Sequence, residues 1–211
     1  MPSLDLMLAC LLTTAVFAYI PGPAMLYAAA RTLAGGRRAG LMAALGIHLG
    51  GYAHVATAAG GLSVLFHAVP AAYLAVKLAG AAYLVWLGLG LLRARGRPEV
   101  EGPALPAPAG AGRALLQSVT VEVLNPKTAL FFLAFLPQFI DPAAGWPVWV
   151  QFLVLGTLVN AMFTSADLVC VLLAGAVSAR LRRSARVQRA LQRAGGAVLV
   201  GLGTHLALQR G

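Results

Sequence analysis

The sequence predicts an all-α integral membrane protein, with six transmembrane helices as two inverted three-helix repeats and helices 1 and 4 broken. Three observations carry this expectation. First, 60% of the 211 residues are hydrophobic and 10% are charged, against roughly 45–50% and about 25% in soluble domains. Mean hydropathy is +0.82. A soluble domain this size could neither bury so much apolar surface nor cover itself with so few charges, so soluble enzymes are excluded. Second, the net charge of +10 is unevenly spread. Thirteen of the sixteen Lys and Arg fall in three clusters between apolar segments: Arg31, Arg37, Arg38; Arg93, Arg95, Arg97, Arg113; and Arg180, Arg182, Arg183, Arg186, Arg189, Arg193. That spacing marks topology rather than nucleic-acid binding, which is excluded as a partner. Third, helix-breaking prolines recur at matched depth in the two halves.

A spanning helix needs about 20 apolar residues. The first candidate covers 4–30. Its start, Met1-Pro2-Ser3-Leu4-Asp5, lacks the basic region of a cleavable signal peptide, so it is read as a membrane helix. The second covers 39–66, and Pro70 separates it from a third over 71–92 that carries Lys77. Pro98, Pro103, Pro106 and Pro108 make 93–113 a flexible cytoplasmic linker. The fourth helix, 114–140, contains Glu122 and Lys127, and Asp141-Pro142 with Pro147 close it. The fifth, 149–177, contains Asp167. The sixth, 195–208, is short, with the arginine-rich stretch before it as an interfacial lead-in. The chain thus divides into repeats 1–92 and 114–211 about the linker. Loops after helices 1, 3 and 5 hold the basic clusters, which puts them in the cytoplasm and both termini outside.

A shift of about 104 residues lays Ile20-Pro21-Gly22-Pro23-Ala24-Met25-Leu26-Tyr27 on Leu124-Asn125-Pro126-Lys127-Thr128-Ala129-Leu130-Phe131. A repeat of three helices must insert its second copy upside down, and inverted repeats with interrupted helices are a transporter architecture. Proline lacks an N–H and clashes with the carbonyl four residues back. In lipid the freed carbonyls are costly unless they face protein or a water-filled cavity. Pro21, Gly22, Pro23, Asn125, Pro126 and Lys127 are therefore the candidate transport-site residues.

Ionisable groups inside a membrane cost roughly 2.5–3.5 kcal/mol each on insertion scales. Lys77 either snorkels to the outer headgroups or neutralises a carboxylate in a cavity. Lys127, deeper, either meets a substrate carboxylate or pairs with Glu122. Glu122 and Asp167 are the candidates for the cation side and for proton coupling. Thr157, Asn160, Thr164 and Asp167 share one face of helix 5, either lining the bundle interior or making helix–helix hydrogen bonds. His48 shares a face with Tyr52, whereas His54 reads as a packed, satisfied histidine. Gly46 and Gly50 form a Gly-x-x-x-Gly step that lets another helix approach closely. Cys10 and Cys170 lie in apolar segments and carry no redox signal. No phosphate loop, His-Glu-x-x-His or Gly-x-Ser-x-Gly motif occurs. No cofactor and no metal are expected.

Ile20-Pro21-Gly22-Pro23, Gly36-Arg37-Arg38-Ala39-Gly40-Leu41 and Leu45-Gly46 together resemble the opening of the LysE/RhtB amino-acid exporters. Lys77-Leu78-Ala79-Gly80-Ala81-Ala82-Tyr83-Leu84 fits the third helix of that family. Leu124-Asn125-Pro126-Lys127-Thr128-Ala129-Leu130-Phe131-Phe132, then Leu136-Pro137-Gln138-Phe139, looks like its second hallmark. Ala24 departs from the Asn that many members carry there. The resemblance covers nearly the whole chain. It implies a six-helix, multi-pass carrier of the bacterial inner membrane that exports amino acids such as threonine, homoserine or lysine.

The reading is a secondary transporter, not an enzyme, exporting a small amino acid in exchange for protons. Its expected partners are that substrate, the lipid bilayer and, as a candidate homodimer, a second copy of the chain. Two alternatives stand beside it, a carrier for another cargo such as a metal cation and a membrane scaffold without transport.

Overall fold

The computed structural model describes residues 2–62 and 111–183, with positions 74–75, 78–79, 81–82, 85–86, 89, 92–93, 193, 197, 200–201, 203–204 and 207–208. Among the described residues every regular element is helical. Most of the expected third and sixth helices, the linker and Lys77 lie outside the described residues.

Helix α1 spans Leu4–Ala18. Ser3 caps it, its hydroxyl accepting from the Leu6 N–H at 3.3 Å, and Asp5 in the first turn opposes the helix dipole. Leu4, Leu8, Leu12 and Val16, at steps of four, are all exposed. The buried face carries Cys10, Thr14 and Phe17. Such a division suits a helix with lipid on one side and protein on the other. Thr14 satisfies its hydroxyl within the helix, donating to the Cys10 carbonyl at 2.6 Å.

Helix α2 spans Pro23–Thr57 and runs on as a π-helical turn, Ala58–Leu62. It is two helices meeting at Gly36, whose φ of 76° and ψ of 178° leave helical geometry. Only glycine adopts that conformation without steric cost. Where the sequence suggested a loop between residues 30 and 39, helix continues to a single-residue break. Helix α3, Ala111–Val123, breaks at Leu124 and Asn125. Helix α4, Pro126–Leu130, continues as a π turn, Phe131–Phe135, and a 3-10 turn, Leu136–Phe139. The two arms, 112–123 and 126–139, are bent by 41°. Helix α5 spans Val148–Arg183.

Two helices among the described residues are long and apolar enough to cross a membrane, over 23–61 and 148–174. The bent pair makes a third if it counts as one span.

Helix α2 lies against α3 with almost no side chain between, and against α5 across the Asn160 and Val171 side chains. A methyl at Gly46 would stand 2.5 Å from the Ser118 Cβ and 2.7 Å from the Leu115 carbonyl oxygen. At Gly50 it would stand 2.7 Å from the Val119 carbonyl oxygen. The helix that approaches the glycine step is therefore α3, and its backbone cannot yield as a side-chain end can. Gly50→Ala is expected to destabilise the protein by about 1–3 kcal/mol, seen as a lower melting temperature in detergent; an unchanged melting temperature would refute the close approach.

On the other side of the bundle Phe17 of α1 packs between Phe131 at 5.0 Å and Phe163 of α5 at 6.1 Å, centroid to centroid. Phe131 stacks on Phe135 at 5.7 Å. This aromatic cluster anchors α1 beside the second break, bringing the two interruptions together.

Candidate functional site

The two breaks meet, and each supplies what the other lacks. At the first, Pro21 and Pro23 bring no N–H, and Gly22 is extended with φ −129° and ψ 177°. A continuous helix would pair the carbonyls of Ala18 and Ile20 with the N–H groups of Gly22 and Ala24. Instead both accept from the Lys127 ammonium, Ala18 at 3.5 Å and Ile20 more closely. The ammonium also lies 5.1 Å from the Phe17 ring centroid and 5.7 Å from that of Phe163, within cation–π range.

At the second break Pro126 cannot donate to the Glu122 carbonyl four residues back. That carbonyl is satisfied twice, by the Asn125 N–H at 2.9 Å and by Nε2 of His54, on α2, at 2.8 Å. Asn125, held extended ahead of proline, caps α4 by accepting from the Lys127 N–H at 3.1 Å. Its amide nitrogen donates to Glu122 Oε2 at 2.9 Å and to Thr128 Oγ1 at 3.0 Å. One side chain thus caps a helix and partners a buried carboxyl.

Lys127 reaches the first break by crossing Gly22. A methyl there would stand 2.5 Å from Lys127 Cδ, so glycine is required by close approach and not by backbone conformation. Lys127 is 8% exposed, Glu122 3% and Asp167 5%. These groups border a cavity of about 20 Å³, whose remaining wall includes Met25, Ala24 and Phe163. That is room for about one water molecule.

Of the residues singled out in the sequence, Gly22, Asn125, Lys127, Glu122 and Asp167 come together at this cavity. Pro21, Pro23 and Pro126 are exposed and shape the breaks from outside. Asn160 lies elsewhere. Its side chain sits against Gly51 and donates to the His48 carbonyl at 3.1 Å. Thr164 donates to the Asn160 carbonyl at 2.8 Å, so its oxygen must accept from His48 Nδ1 at 2.7 Å. That assigns a proton to Nδ1 of His48. Thr157 bonds within its own helix, to the Leu153 carbonyl at 2.7 Å. The polar face of α5 therefore splits, with Asp167 at the cavity and Asn160 and Thr164 fastening α5 to α2. His54 is a satisfied histidine, and its partner is the carbonyl that Pro126 frees.

Sequence reasoning passed over Phe163, Thr128 and Met25. Phe163 lies one helical turn before Asp167, so the shared face was a usable signal for it. Among the described residues no three His, Cys, Asp or Glu are placed to hold a metal ion.

The LysE type translocator family model matches residues 15–210. A protein of Vibrio cholerae named uncharacterized membrane protein is 31% identical over 205 residues, 95% of each chain. The homoserine/homoserine lactone efflux protein of Salmonella typhimurium is 30% identical over 207 residues, 96% of each chain. The leucine efflux protein of Klebsiella pneumoniae is 33% identical over 140 residues, 66% of this chain and 65% of its own. No solved structure matches the chain.

Proposed function

Because the chain belongs to the LysE type translocator family, it is a membrane transporter and not an enzyme, and we propose that it exports a small zwitterionic amino acid. The proposed setting is the bacterial inner membrane, with six helices in two inverted repeats, 1–92 and 114–211, joined by the cytoplasmic linker 93–113. The basic loops favour an orientation with both termini outside. The observation that carries the reading is one buried ammonium and two buried carboxyl groups where two broken helices meet. Charges inside a membrane are costly and face a partner or a pathway, and a zwitterion presents the complement of each.

In this reading the Lys127 ammonium meets the substrate carboxylate. Glu122 and Asp167 meet its ammonium group and exchange a proton between the two faces of the membrane. Lys77 and Asn160 are proposed to support coupling and packing around the path. Relatives named for homoserine and for leucine efflux favour a neutral amino acid. With room for about one water, the cavity must widen to admit it, which rocking of one repeat against the other provides.

The test is efflux from bacterial cells preloaded with a labelled panel of amino acids, wild type against Lys127→Ala at matched expression. Wild type is expected to speed the loss of at least one amino acid, and Lys127→Ala to abolish that gain. No difference for any amino acid would sink the reading.

A further inference from the structure

We infer that the backbone carbonyls of Ala18 and Ile20 are the seat for the substrate's own primary ammonium group, with the Lys127 ammonium sitting there in its place. The inference rests on the export reading and deepens it by naming an atom-level subsite. Lys127 carries three donors and no acceptor, and it spends two of them on these two carbonyls. The faces of Phe17 and Phe163 flank the same point, and Glu122 and Asp167 line the cavity beside it. Carbonyl oxygens and ring faces converging on one spot, beside a cavity that Glu122 and Asp167 also line, select a primary ammonium, whichever molecule bears it.

An amino acid brings that group together with a carboxylate. When its ammonium takes the carbonyls, Lys127 withdraws and its ammonium pairs with the carboxylate of the same molecule. No bond is made or broken, and the net charge in the membrane interior does not change, because a zwitterion adds one charge of each sign. A bare amine would displace Lys127 without giving it a new partner, leaving an extra positive charge buried. A hydroxy acid would supply a carboxylate but nothing to free Lys127. Exchange therefore requires both groups on one substrate.

The test measures binding to purified protein in detergent of two probes, 3-methylbutylamine, with an ammonium and no carboxylate, and 2-hydroxy-4-methylpentanoate, with the reverse. Lys127→Met vacates the seat, so the amine is expected to bind about tenfold tighter or better than to wild type, since the competing occupant is gone. Lys127→Arg keeps the seat filled, and amine binding should stay at the wild-type level. The hydroxy acid should bind Lys127→Met no better than wild type. If Lys127→Met does not fold, Lys127→Leu, which has no donor, carries the same reading. Amine binding that is equal or weaker in the vacated variant overturns the seat. Failure of wild-type efflux with the amino-acid panel would sink the export reading instead. Efflux with unchanged amine binding would sink the seat alone.

Discussion

Gly22→Ala is expected to lower the melting temperature of the otherwise native protein and to be nearly neutral when Lys127 is already alanine. The backbone at Gly22, φ −129° and ψ 177°, is extended and open to any residue, so the substitution meets no conformational penalty. What it meets is the Lys127 side chain, whose Cδ would lie 2.5 Å from the new methyl. Overfilling a packed site costs about 1–3 kcal/mol. Here it also pushes the ammonium off the Ala18 and Ile20 carbonyls, which would then be buried without a partner. Truncating Lys127 removes the obstacle, and the double-mutant cycle isolates that one contact. Melting temperatures of the four proteins in detergent are the readout. A loss of equal size in both backgrounds would mean that Gly22 matters for something other than the passage of Lys127. Export by Gly22→Ala at matched expression should fall together with its stability.

The breaks themselves were legible because proline states its consequence locally. Pro21, Pro23 and Pro126 each remove a donor, and Asn125 before Pro126 is a capping residue in sequence as it is in structure. Lys127 and Glu122 stood out as charges in an apolar run. What the sequence could not show is where Lys127 points. Its acceptors are backbone carbonyls 107 and 109 positions away, and a carbonyl has no residue type to recognise. The same holds for His54, whose partner is the Glu122 carbonyl and not its carboxyl group. Periodicity put Asn160 and Asp167 on one face of a helix. Seven residues are about 10 Å along the axis, far enough for the two to serve different neighbours. Phe163 went unnoticed because an aromatic residue in an apolar helix reads as packing until a cation is seen beside it.

Asn125→Asp is expected to be more damaging than its small change in shape suggests, and Glu122→Gln is expected to repair it. An aspartate can still cap α4, because the oxygen that accepts the Lys127 N–H is retained. It loses the amide nitrogen that donates to Glu122 Oε2 and to Thr128 Oγ1. Two carboxyl groups would then face each other at hydrogen-bond distance in a site where Glu122 is 3% exposed. Leaving such a buried group without its donor costs about 1–3 kcal/mol, and more where it is charged. The second substitution, Glu122→Gln, returns a donor. Its side-chain amide can give a proton to the new carboxylate, and the pair keeps one acid and one amide with the roles reversed. The exchange should recover most of the melting temperature lost by Asn125→Asp alone. Export separates stability from coupling. If Glu122 exchanges a proton during the cycle, the reversed pair will be stable and still fail to export, because the acid now sits on the cap and cannot leave the Lys127 N–H. If the reversed pair both folds and exports, a carboxyl group at position 122 is not needed for proton exchange, and Asp167 is the remaining native carboxyl group at the cavity that could perform it.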